Sequence, residues 1–315
     1  MTNLPKDLRE RLSEQFSITF PGSVETQRSR DNTTKYALQV GTETIEAVHM
    51  PEEKRDTLCL SSQAGCSFGC KFCVTARMNL HRNLTAGEIV GQVLFALKQH
   101  GRPGRLNLVF MGMGEPLHNY ANVMKAFRIL IHPRGLAISP RRITISTVGF
   151  IPSLLRLKGE TSIPNLAVSL NAPNDKLRNE LMPINRIYPI EMLMRTLAEL
   201  PLRHRQRITF EYVLLKGIND SPQHAKELLE ATRTIRCKIN LIPFNPDAHL
   251  PYERPDDETV SRFAAVLVHG GRTVSVRRSR GPDISAACGQ LGTEFIDPAR
   301  IPLGLNTKAQ RHEGI

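Results

Sequence analysis

From about residue 56 onward, short apolar runs alternate with longer runs of helical period, and this alternation limits the chain to few folds. TLCLSS, LNLVFMG, RRITIST, NLAVSL, RITFEYVLL, CKINLIPF and RTVSVRR read as strands. Between them lie helix-like segments: one opening at the capping box Thr85-Ala-Gly-Glu88, then YANVMKAFRILI, IPSLLRL, DKLRNEL, IEMLMRTLAEL, one opening at Ser221-Pro222, and DDETVSRFAAVLVHG. Parallel strands need crossover connections, so the pattern predicts a parallel sheet clad in helices. Six or seven units fall short of eight, which predicts an α/β fold of the incomplete, TIM-like βα barrel kind. The strands read as apolar runs covered on both faces. Functional groups are then expected at the C-terminal ends of the strands.

Residues 1–50 read as a short β-rich N-terminal accessory segment. It opens with an amphipathic helix over 5–16, followed by strand-like SITF, KYALQV and TIEAVHM and a polar loop, GSVETQRSRDNTT. The core is expected over 51–295, and 296–315 is expected to be a flexible tail. No apolar run is long enough to span a bilayer, and the charged N-terminus lacks the apolar stretch of a signal peptide, so a cytoplasmic location is expected. Lys and Arg number 42 against 30 Asp and Glu, a net charge of +12. Such an excess suits a polyanionic partner, nucleic acid first, although a basic protein without one remains open. Local clusters include Arg203-His204-Arg205-Gln206-Arg207 and Arg277-Arg278-Ser279-Arg280.

Four of the six cysteines crowd into Cys59–Cys73, and in an enzyme expected to be cytoplasmic this points to metal or redox chemistry rather than structural disulfides. Cys66, Cys70 and Cys73 form C-x3-C-x2-C directly after a predicted strand. A cubane iron–sulfur cluster takes one ligand per iron, and three thiolates leave the fourth iron open to a small molecule. Zinc is the alternative, but no second C-x2-C pair and no His pair at finger spacing accompany the motif.

C-x3-C-x2-C with an aromatic before the last cysteine resembles the signature of the radical S-adenosylmethionine (SAM) superfamily. TLCLSSQAGCSFGCKFC, FMGMGEPLHNY, ITISTVGF, AVSLNAPND, MPINRIYPI, CKINLIPFNP and RGPDISAACGQL, in that order from about Glu46 to Leu291, are similar to the RlmN/Cfr family. The resemblance implies a 4Fe-4S cluster on Cys66, Cys70 and Cys73, and SAM bound near Gly114, Glu115, Ser146, Ser169, Leu170, Asn171 and Asn245. Where the family has Ser-Leu-His, this chain has Ser169-Leu170-Asn171, so any role that needs an imidazole is in question.

The family's activity is methylation of an adenine ring carbon in RNA, carbon 2 or carbon 8, with 23S rRNA as the usual substrate and tRNA a further one. Carbon 2 is expected here. An adenine carbon is electrophilic and cannot attack SAM, and the resemblance implies a detour through protein thiols that uses two SAM molecules. Cys288, in a C-terminal carrier loop, takes the methyl first. Cys59 then attacks the Cys288 sulfur and releases product, leaving a transient disulfide. Glu46 accepts the ring proton. An electron donor such as flavodoxin or ferredoxin is implied. On residues alone, Cys59 reads as a small buried hydrophobe and Glu46 as a solvent-facing strand residue. Two other functions remain open: the same chemistry on a substrate other than RNA, and a non-catalytic RNA-binding paralogue. Fewer than sixty residues precede Cys59, so an RNA-engaging front end is expected to be reduced.

Overall fold

The computed structural model describes residues 4–15 and 20–292. The strand expected at SITF falls almost entirely outside these residues, as does the expected tail.

Seven strands carry the predicted parallel sheet: β4 (Arg55–Cys59), β7 (Leu106–Phe110), β8 (Ile143–Thr147), β9 (Asn165–Ser169), β10 (Ile208–Leu214), β11 (Cys237–Pro243) and β12 (Val274–Val276). They pair in that order, each parallel to the next. The crossovers are α2 (Ala86–His100), α3 (Tyr120–Ile131), α4 (Ile151–Leu157), α5 (Asp175–Leu181) with α6 (Ile190–Ala198), α7 (Pro222–Ala231) and α8 (Asp257–His269). Thr85 caps α2 in a reciprocal box with Glu88, and Ser221 caps α7 with Pro222 in its first turn. These signals are local, which is why the sequence displays them.

Coverage of the strands differs from the expectation of two apolar faces. Leu106, Leu108 and Phe110 of β7 and Ile143 and Ile145 of β8 are buried, while Asn107, Val109, Thr144 and Ser146 between them are only half-buried. One face packs in a single core with Val123, Phe127, Leu154, Leu193, Leu228 and Phe263 of the helices. The other face carries polar side chains, because it lines the interior of a barrel that must admit ligands.

The N-terminal strands extend this sheet. β1 (Gly22–Arg28), β2 (Thr34–Val40) and β3 (Glu43–Glu52) join it antiparallel, with β3 on β4. Tyr36, Leu38, Val40, Ile45 and Val48 belong to the same core as the barrel. The N-terminal helix α1 (Lys6–Gln15) forms as predicted, yet none of its residues is buried. A short hairpin, β5 (Gln63–Gly65) with β6 (Leu80–Asn83), frames the cysteine loop. Among the described residues no helix is long and apolar enough to cross a membrane.

Candidate active site

β4 ends at Cys59, and the chain turns through Leu60–Ser62 into the β5 strand and the cysteine loop. Gly65 precedes Cys66 at φ 78°, and a Cβ there would lie 1.7 Å from the Asn79 carbonyl oxygen, so only glycine closes the base of this loop. Cys66 N–H donates to Asn79 at 3.1 Å, and Cys73 N–H to Cys70 at 3.1 Å. Cys70 is buried, while Cys66 and Cys73 keep partial exposure. Burial pushes the Cys66 thiol up to about 12 and raises those of Cys70 and Cys73, and Cys70 is raised further by Cys66 and Cys73. Three thiols gathered in an apolar nest, with burial disfavouring the thiolate of each, fit a group that supplies positive charge. Among the described residues no three acidic, His or Cys side chains converge on one metal ion. Thiolates that each bind a separate iron need no such convergence. Phe68, His118, Phe150 and Tyr188 form an edge-to-face aromatic wall beside the loop, at 5.3–6.1 Å between centroids.

Glu115 follows β7. Its carboxylate accepts the Leu117 N–H at 3.0 Å and the Val148 N–H at 2.8 Å, and its own N–H donates to Gln63 at 2.7 Å. Burial raises its carboxyl to about 7, opposed by those N–H groups. Gly114 sits at φ 93°, where a Cβ would meet Gln63 Cβ at 2.4 Å. Ser146 stands one residue before the end of β8, and Ser169 closes β9 at the same end of the sheet.

The other residues of the expected cofactor set are held differently. Leu170 is fully buried, its N–H donating to the Glu211 carbonyl at 3.0 Å and its carbonyl accepting from Arg178 at 3.1 Å. Asn171 adopts φ 57°, a conformation that Asn tolerates, and its Oδ1 accepts the Val213 N–H at 2.9 Å, tying β9 to β10. Asn245, after β11, donates from Nδ2 to the Cys288 carbonyl at 3.2 Å and accepts the Ser279 hydroxyl.

The structure brings Glu46, Cys59 and Cys288 to this edge. Cys59 and Cys288 line one recess with Met50, Met111, Asn245 and Arg277. Burial, followed by Cys288, pushes the Cys59 thiol up to about 12, against a smaller opposing pull from Arg277. Glu46 is 1% exposed rather than solvent-facing. Its Oε2 accepts the Gly292 N–H, four residues beyond Cys288. The loop around Cys288 is fastened at further points. Val74 N–H donates to Gly289 at 2.8 Å, Thr75 Oγ1 to Leu291 at 2.8 Å, and Gln290 Nε2 to Pro246 at 2.8 Å. Asp31 accepts from Arg280 at 2.9 Å, and Asp283 from the Arg30 N–H at 3.1 Å.

Three contributors lay beyond sequence reasoning. Lys35 Nζ stands 3.4 Å from Glu46 Oε1, with side chains 0% and 2% exposed. The β2–β3 register pairs Ala37 with Glu46, which makes Lys35 the diagonal neighbour on the same face. Arg178 of α5 is 1% exposed and donates to the Val148, Ser169 and Leu170 carbonyls and to Asn185 Oδ1. Burial lowers its guanidinium to about 10, while Cys70 favours its charge. Arg277 is held charged chiefly by Cys288, then by Glu211 and Cys59. Only the register and the closure of the barrel assemble these three.

A partial barrel with three thiols on the loop after its first strand, facing a glycine–glutamate strand end, defines a radical SAM enzyme. The radical SAM superfamily model matches residues 60–229. Two curated relatives, each named Dual-specificity RNA methyltransferase RlmN, from Pseudomonas entomophila (strain L48) and Pseudomonas putida (strain W619), are each 45% identical over 309 residues. Those matches cover 95% of this chain and 81% of each relative. The crystal structure of a radical SAM methyltransferase from Sphaerobacter thermophilus superposes with a TM-score of 0.85 at 45% identity, covering 92% of this chain and 86% of that one. The chain belongs to the RlmN/Cfr family of radical SAM methyltransferases. It is a SAM-dependent methyltransferase whose cofactors are one 4Fe-4S cluster and SAM.

Proposed function

We propose that the protein methylates a ring carbon of adenine in RNA, carbon 2 in preference to carbon 8. Its substrate is 23S rRNA, with tRNA as a second substrate, and a flavodoxin- or ferredoxin-like protein supplies electrons. The observation that carries this reading is the meeting of Cys59 and Cys288 in one recess, with Glu46 fastened to the same loop through Gly292. A methyltransferase for a nucleophilic atom needs no second thiol. An electrophilic ring carbon needs a carrier and a means of release.

Cys66, Cys70 and Cys73 hold the cluster, and the edge formed by Gly114, Glu115, Ser146, Ser169 and Asn245 receives SAM, with Leu170 and Asn171 supplying backbone and support. When bound, the cluster and SAM supply the methyl group and the one-electron chemistry that activates it. The Cys288 thiolate takes the methyl and carries it to the base, and Arg277 beside it supplies the countercharge. Cys59 then attacks the Cys288 sulfur, freeing the methylated base and leaving a Cys59–Cys288 disulfide for an external thiol to reduce. Glu46, paired with Lys35, accepts the ring proton. Residues 1–50 act as the accessory segment and 51–295 as the catalytic core with its carrier loop, in a cytoplasmic enzyme.

Mass spectrometry of the cluster-loaded protein tests the thiol roles. Incubation with SAM alone should add one methyl group at Cys288 and none at Cys59. Methylation at Cys59, or at neither, would defeat the assignment.

A further inference from the structure

The connections that lead into the N-terminal ends of β7–β12 lie at the end of the barrel opposite the thiols. Over residues 101–105, 132–142, 158–164, 199–207, 232–236 and 270–273 they hold eleven arginines and one lysine against two glutamates, most of the excess behind the chain's net charge of +12. Both glutamates are taken: Glu160 by Arg128 at 3.1 Å, and Glu199 by Lys158. Of the eleven arginines, Arg233 pairs with Glu230, and among the described residues the other ten pair with no carboxylate.

The guanidiniums are crowded and partly fixed in place. Arg203 donates to the Ile163 carbonyl at 3.0 Å, Arg207 to Thr273 Oγ1 at 3.0 Å, and Arg236 to the Gln206 carbonyl at 2.8 Å. Besides partial burial, the charge of Arg141 disfavours that of Arg203. These bonds to neutral oxygens hold each fork while leaving its positive charge uncompensated. Arginine outnumbers lysine eleven to one, and the planar fork matches the two free oxygens of a phosphodiester. Like charges packed together with too few carboxylates to pair them repel until a polyanion relieves them.

We propose that this arginine ring binds the phosphate backbone of the RNA at a second place, remote from the base being methylated. The inference rests on the reading that the substrate is RNA. An acidic electron-donor protein fits the position less well. It would dock a full strand length from the thiols, roughly 20 Å for the seven residues of β10 or β11, whereas a folded RNA can reach both ends of the barrel at once.

The variant Arg105→Gln/Arg141→Gln/Arg205→Gln/Arg207→Gln removes four exposed guanidiniums. Binding of the full-length, cluster-loaded proteins to protein-free 23S rRNA is measured across a potassium chloride series. With roughly 0.7–0.9 counterions released per phosphate contact, the slope of log K against log salt should become shallower by about 3, and affinity near 0.1 M salt should fall at least tenfold. Methyl loading of Cys288 by SAM alone should not change, which shows that the variant is folded and its active end intact. If the variant fails to load, the pairs Arg105→Gln/Arg141→Gln and Arg205→Gln/Arg207→Gln are used, each expected to shift the slope by about half as much. A variant that keeps the parent slope and affinity overturns the ring as an RNA site while RNA remains the substrate. So does one that loses only its reduction by flavodoxin. A parent protein that neither binds nor methylates RNA overturns both readings.

Discussion

Lys35→Met tests whether the pair behind the site is energetically coupled. Lys35 Nζ lies 3.4 Å from Glu46 Oε1, and neither side chain has appreciable solvent contact. At that distance and an effective dielectric constant of about 20 the attraction is about 5 kcal/mol. Taking both ions out of water offsets most of that gain, so the intact pair adds little net stability. Removing only the ammonium still leaves a carboxylate to be buried, which costs about 3–5 kcal/mol. Lys35→Met should lose that much. Lys35→Met/Glu46→Gln removes both charges and should recover at least about 2 kcal/mol of the loss, because contacting residues do not add. Anaerobic urea unfolding of the parent, both single variants and the double variant closes the cycle. A Lys35→Met protein within about 0.5 kcal/mol of the parent, with additive singles, would refute the coupling. Glu46→Gln should still load methyl on Cys288, since the role proposed for the carboxylate begins only once the base has reacted.

Cys288→Ala should abolish methyl loading and turnover, while Cys59→Ala should load methyl, react with RNA and stall as a protein–RNA crosslink visible on a denaturing gel. Normal turnover by Cys59→Ala would rule out the two-thiol route. Arg178→Lys keeps a cation but loses the fork that joins the Val148, Ser169 and Leu170 carbonyls. It should lower stability by about 2–3 kcal/mol through unsatisfied buried acceptors and reduce cluster content measured as iron per chain. Burial raises the Glu115 carboxyl to about 7 in the cofactor-free protein, from an ordinary value of 4.5. The folded state therefore holds this proton more tightly than the unfolded chain, and the resulting stabilisation fades as pH rises from about 4.5 to about 7. In the proposed site the ammonium of SAM favours the ionised form, so SAM affinity measured by calorimetry should rise with pH up to about 7 and level off above it. Glu115→Gln should flatten that dependence.

The parallel sheet was legible because each of its signals is local: a capping box at Thr85–Glu88, a proline in the first turn after Ser221, and apolar runs bounded by turns. The spacing singled out the three thiols proposed to hold the cluster, and Gly65 was visible in the same string although its necessity comes from Asn79, fourteen residues on. The two faces of each strand were misread because Asn107, Thr144 and Ser146 alternate with larger apolar residues that dominate such short windows. Glu46 read as an exposed strand residue because its burial is set by Lys35 across the β2–β3 ladder and by Gly292 at the far end of the chain. Arg178 lies in the helix-like run DKLRNEL without any local signal of its role, and only the meeting of β8 and β9 gives it three carbonyls to satisfy. The arginine ring is scattered over six loops, so its concentration appears only once the strands are aligned.

Anaerobic turnover with SAM labelled in its methyl group and total RNA, followed by nucleoside mass spectrometry, tests the central claim most directly. The expected product is adenosine labelled at a ring carbon, formed by the parent protein and absent with Cys288→Ala. Label on a nitrogen or a ribose oxygen, or none in RNA while SAM is consumed, would contradict it.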